Sequence, residues 1–100
     1  MPHSSPLSAN DIAFRPELAT FCEWLAVYVG TGDGADELTL ATSAVVRLAR
    51  ELRVEAVIMV DAVELIGCPP LHVHDETART RGDRYANAMA WLVRGLFGGA

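Results

Sequence analysis

A chain of 100 residues with 51% apolar content forms one globular domain and is excluded from the disordered class. Thirteen acidic residues against eight basic ones give a net charge of −5. That balance argues against a general nucleic-acid binder, which needs a basic surface to neutralise phosphates. All eight basic residues are arginine, a bias that reads as a GC-rich, bacterial-like composition rather than as a mechanism. Small domains bury a smaller share of their surface than large ones, so this apolar content exceeds what a small bundle hides, and self-association or a protein partner is expected.

Residues 1–13 carry Pro, Ser, Asn and Asp with few large apolar side chains and read as a flexible lead-in. Ile12 and Phe14 are the exceptions, suited to tucking against the domain. The N-terminus lacks the basic-then-apolar order of a signal peptide, and no uncharged apolar run approaches membrane-spanning length. A cytoplasmic protein with no membrane role is the expectation.

The domain proper spans residues 14–97. Pro16 followed by Glu17 suits a first helical turn, where the missing N–H costs nothing and a carboxylate meets the positive helix end. The predicted helix runs from residue 16 to about 29, with Leu18, Phe21, Cys22, Leu25 and Val29 on one face. Trp24 and Tyr28, four apart, form a second apolar edge. They are either aromatics at the edge of the core or anchors of an interface. Residues 30–34 hold three glycines and predict a helix–helix turn. A phosphate loop is excluded because no strand precedes it and no Gly-Lys-Ser/Thr follows. Asp33 or Asp36 is expected to cap the next helix.

Residues 36–66 organise the chain. They contain neither Gly nor Pro, and apolar residues recur at Leu38, Ala41, Val45, Leu48, Leu52, Ala56, Met59, Val63 and Ile66. Steps of three and four predict an α-helical face. As one rod it would be about 45 Å long. Against this, Val54, Val57, Ile58, Val60 and Val63 are β-branched, so residues 56–60 have a strand as their alternative. A third possibility is two helices with a break near Arg53. We favour continuous helix, because Glu51 and Glu55, then Asp61 and Glu64, keep helical spacing. Arg47, Arg50 and Arg53 lie on the outer surface and read as a solvated face, with an anion site as the sharper alternative. Arg47 and Glu51 have the spacing of an ion pair.

Gly67 and the Pro69–Pro70 pair end the stretch. The last helix is expected from Asp75, as N-cap, to about residue 97. Its inward face is Ala78, Tyr85, Ala88 or Met89, Leu92 and Leu96, and Gly82 interrupts it. Asp75–Arg79 and Arg79–Asp83 have ion-pair spacing. Trp91 lies off the inward stripe and is a third candidate interface aromatic. Residues 98–100 are a frayed end.

The polar residues concentrate at His72, His74, Asp75 and Glu76. In an extended loop both imidazoles point the same way and suit a transition metal, with a carboxylate as further ligand. The plain alternative is a helix-capping loop. Cys22 and Cys68 lack any metal-ligand spacing and read as buried thiols, with a disulfide as the alternative. No nucleophile, base and orienting group share a region: Ser43 sits mid-helix, and Cys68 and His72 lack a third member. No catalytic residue and no cofactor are therefore assigned.

The expected fold is an all-α bundle of three or four helices with a long, possibly kinked, central helix. The expected function is a non-enzymatic protein–protein interaction module, acting as a homo-oligomer or as an accessory or regulatory subunit. The alternative is a protein that binds a metal or small ligand through residues 72–76.

Overall fold

The computed structural model of the chain describes residues 7–67 and 76–98, with side chains from residue 79 in the second stretch. Among the described residues five helices follow one another: α1 (Ala9–Ile12), α2 (Pro16–Thr31), α3 (Ala35–Leu52), α4 (Ala56–Gly67) and α5 (Glu76–Gly98). The described residues contain no strand, and the fold is the expected all-α bundle.

Part of the segment expected as a lead-in is helical. Ser8 and Asp11 form a capping box: the Asp11 N–H donates to Ser8 Oγ at 3.3 Å, and the Ser8 N–H donates to Asp11 Oδ2 at 2.9 Å. The Ser8 N–H, together with the Ser8 hydroxyl donating to the same Oδ2 at 3.0 Å, holds the exposed Asp11 carboxyl below its ordinary value of 3.8. The box is therefore intact above that value and is lost as pH falls through the lowered pKa. The short helix brings Ile12 into the core against α4, whereas Phe14 stays 88% exposed.

Pro16 occupies the first turn of α2 as the sequence predicts, with Arg15 Nε 3.6 Å from Glu17 Oε1. Leu18, Phe21, Leu25 and Val29 are buried along one face. The helix extends to Thr31 and closes on Gly32 at φ 80°, whose N–H donates to the Tyr28 carbonyl. Thr31 Oγ1 donates to the Val27 carbonyl at 2.7 Å and accepts the Asp33 N–H at 3.0 Å. From α5, Arg84 Nη1 donates to the Val29 carbonyl at 3.2 Å. This places a cation at the negative end of α2 and satisfies an orphan acceptor there. Asp33 and Asp36 do not cap α3. Gly34, at φ 82°, holds the N-cap position without a side-chain bond, and Asp36 and Glu37 fall inside the first turn, where their charge favours the helix dipole.

The central stretch is helical on both sides of a break, so the continuous rod is corrected to two helices. Arg53 adopts φ 55° and ψ 44°, the left-handed region. Its N–H donates to the Arg50 carbonyl at 3.2 Å, and the Val54 N–H reaches the Ala49 carbonyl at 3.0 Å. This double bond pattern is a Schellman closure, with Val54 half-buried against the core beside the buried Ala49. The next turn begins at once, as the Ile58 and Met59 N–H groups donate to the Glu55 carbonyl. The β-branched run is thus helix, because tertiary burial of Met59, Ala62 and Val63 outweighs a propensity difference of a few tenths of a kcal/mol per residue.

Leu38, Ala41, Val45, Leu48 and Ala49 of α3 meet Phe21, Leu25 and Val29 of α2 and Ala88 and Leu92 of α5 in one core. Tyr85, Met89 and Leu96 flank it, as expected for the inward side of α5. Neither Arg47–Glu51 nor Arg79–Asp83 closes into an ion pair; among the described residues the ion pair is Arg15–Glu17. The expected Asp75 cap and Asp75–Arg79 pair, and the side chain of Ala78, lie outside the described residues.

Two glycines give opposite predictions. A Cβ on Gly82 would meet nothing within 4 Å, so Gly82→Ala should raise stability by about 1 kcal/mol. A Cβ on Gly32 would sit 2.9 Å from Arg84 Nη2 at a positive φ, so Gly32→Ala should lower stability by at least about 1 kcal/mol. Urea unfolding of both variants checks the signs.

Candidate functional site

The three aromatics singled out from the sequence each have an intramolecular position. Tyr28 on α2 and Trp91 on α5 pack ring to ring, with centroids 5.5 Å apart and planes tilted by 44°. This tilted pair has the centroid spacing of a favourable aromatic contact and ties the first long helix to the last. Trp24 lies over the α2–α3 turn: a Cβ on Gly34 would stand 3.0 Å from its Cε3. All three are half-buried and pack against the core. The structure brings Tyr28 and Trp91 together and holds Trp24 separately at the turn.

Beside Trp91 lies a groove between α3 and α5 of about 610 Å³. Its α3 wall presents Thr39, Thr42 and Ser43, then Val46, then Arg47 and Arg50; its α5 wall presents Trp91 and Gly95. The order follows from helical spacing, since positions 39, 43, 46, 47 and 50 share one side of a helix. Gly95 sets how closely the helices approach, because a Cβ there would fall 2.9 Å from Val46 Cγ2. Thr39 and Thr42 donate to the carbonyls four residues earlier, so their hydroxyl oxygens retain acceptor capacity. A smaller cavity of about 180 Å³ adjoins, sharing Val46 and Arg50 and adding Arg53, Val54 and Leu96. The outward arginines of the sequence thus border concave surface. Among the described residues, neither the Arg47 nor the Arg50 side chain forms an ion pair or hydrogen bond.

The exposed side of α4 is a second feature. Val57 and Leu65 are 51% and 57% exposed, Ile66 is 37% exposed, and Asp61 and Glu64 supply the only charges in the helix. Asp61, Glu64 and Leu65 border a shallow cleft against Ala9 and Asn10 of α1. The sequence signal for this side was the apolar residues off the main stripe, Val57 and Leu65 among them. On the opposite side, Cys22 Sγ lies 3.9 Å from the Val63 carbonyl, and a Cβ on Gly67 would come within 3.0 Å of that sulfur.

His72, His74 and Asp75, the proposed metal-binding loop, lie outside the described residues, as do the side chain of Glu76 and Cys68. Among the described residues no three His, Cys, Asp or Glu side chains cluster as metal ligands. No described helix is long and apolar enough to cross a membrane. No family model matches the chain, no curated protein matches its sequence, and no solved structure matches its fold.

The Tyr28–Trp91 pair makes a testable contribution to stability. Trp91→Ala should cost about 2–3 kcal/mol, less than truncating a fully buried tryptophan, and Trp91→Phe should recover most of it. A loss below about 0.5 kcal/mol in chemical denaturation would place Trp91 outside the packing that joins α2 to α5.

Proposed function

We propose that the protein is a small non-enzymatic interaction module, working as a homo-oligomer or as an accessory or regulatory subunit of a larger assembly. The observation that carries this reading is the apolar outer side of α4. A helix that is apolar nearly all round belongs in an interior. Here α1 and α2 cover part of α4, while Val57 and Leu65, eight residues apart on one face, remain in solvent. Burying such surface against a partner contributes about 25 cal/mol per Å² of apolar area removed from water. Asp61 and Glu64 between them keep the face hydrated when unpaired and add charge selectivity when it docks. Trp24, Tyr28 and Trp91 contribute to an interface only through the parts they leave in solvent, since all three pack against the core and Tyr28 packs on Trp91.

The test is solution mass by sedimentation over about a hundredfold range of concentration, with the double variant Val57→Asp, Leu65→Asp beside the native chain. The native chain should sediment as a dimer or larger species, and the variant as a monomer with unchanged helical circular dichroism. A native chain that stays monomeric throughout removes the homo-oligomer. Assembly that survives both aspartates removes α4 as the interface.

A further inference from the structure

From the α3–α5 groove we infer a binding site for a small aromatic anion, a planar ring carrying a carboxylate or phosphate group. The inference is independent of the α4 interface, which lies on other residues. Three features carry it. The first is size: about 610 Å³ falls within the range of sites that hold small molecules. The second is the sorting of chemistry along the groove. Val46 and the Trp91 ring provide apolar walls, Ser43 and Thr39 provide hydroxyl groups, and Arg47 with Arg50 provide two guanidinium forks at one end. An indole flanks a flat ring well, and a guanidinium matches the two oxygens of a carboxylate or phosphate in a bidentate manner. The third is electrostatic. In a chain of net charge −5, two arginines border the same cavity with no carboxylate of the described residues engaged by either. A third, Arg53, borders the adjoining cavity through the shared Arg50, so positive charge continues along α3. An incoming anion therefore meets donors that no described carboxylate pairs, and displaces no salt bridge among the described residues.

The geometry also fixes the orientation. The ring lies between Val46 and Trp91, near Gly95, whose lack of a side chain lets α5 approach Val46. The anionic group lies toward Arg47 and Arg50, with Ser43 as an additional hydrogen-bond donor.

The experiment is a titration of the full chain followed by the indole N–H signal of Trp91 in ¹⁵N-resolved NMR, assigned by its loss in Trp91→Phe. The probes are benzoate, phenyl phosphate, inorganic phosphate and benzyl alcohol. Benzoate or phenyl phosphate should shift the Trp91 signal saturably and leave that of Trp24 in place, and the tighter of the two identifies the anionic group. Arg50→Gln and Arg47→Gln should each weaken that binding about tenfold or more while leaving helical circular dichroism unchanged. Three results overturn the inference: no saturable shift at Trp91, inorganic phosphate acting as strongly as phenyl phosphate, or benzyl alcohol binding as tightly as the anions in a manner the arginine variants do not alter.

Discussion

The architecture depends on the left-handed turn at Arg53. Ala49, Arg50, Arg53 and Val54 close α3 by the paired Schellman bonds, and α4 starts two residues later. Without that closure, residues 36–66 would continue as a single rod of about 45 Å. With it, the apolar stretch is divided. The α3 half lines the core with Leu38, Val45 and Leu48, and the α4 half turns to contact α1 and α2 through Met59, Ala62 and Val63. A non-glycine residue in this region carries a cost of about 1 kcal/mol or more, which burial on both sides of the break offsets.

Close approach elsewhere is achieved by removing side chains. Gly32 leaves room for Arg84 to reach the end of α2, Gly34 lies under Trp24, Gly67 meets Cys22, and Gly95 meets Val46. The same contacts shape the surface. Gly95 draws α5 onto α3 beside Trp91 and so determines the groove that Arg47 and Arg50 border. The division at Arg53 sets α4 apart with one side covered and the other, bearing Val57 and Leu65, in solvent. Both candidate surfaces are thus consequences of how the helices pack. Neither is a motif grafted on a loop.

Much of the fold was legible in the sequence because helical period and turn chemistry are local. Pro16 marks the start of α2 and the glycine-rich turn its end, expected near residue 29 and found at Thr31, and the buried faces of α2, α3 and α5 follow the spacing of Leu18, Phe21 and Leu25, of Leu38, Val45 and Leu48, and of Ala88 and Leu92. The break was less visible because its residue is an arginine, with neither Gly nor Pro to announce it, and because the apolar steps run on in register across it. Capping of α3 by Asp33 or Asp36 was misjudged for a related reason: a glycine in the left-handed region can start a helix by conformation alone. The short α1 was hidden in a polar segment and rests on one reciprocal pair, Ser8 with Asp11. The surfaces were harder still. Trp91 was singled out, but its neighbours Ser43, Val46, Arg47 and Gly95 come together only when α5 packs on α3, a contact no single helix records.

The most direct test of this account is the stability of Arg53→Gly, measured by equilibrium urea unfolding. At a left-handed helix terminus, glycine relieves the backbone cost, so the variant should be more stable than the native chain by about 1 kcal/mol. In the interior of a continuous helix, the same substitution would lower stability by about 1 kcal/mol. A decrease would contradict the division of the central stretch, and with it the placement of α4 on which the exposed apolar side depends.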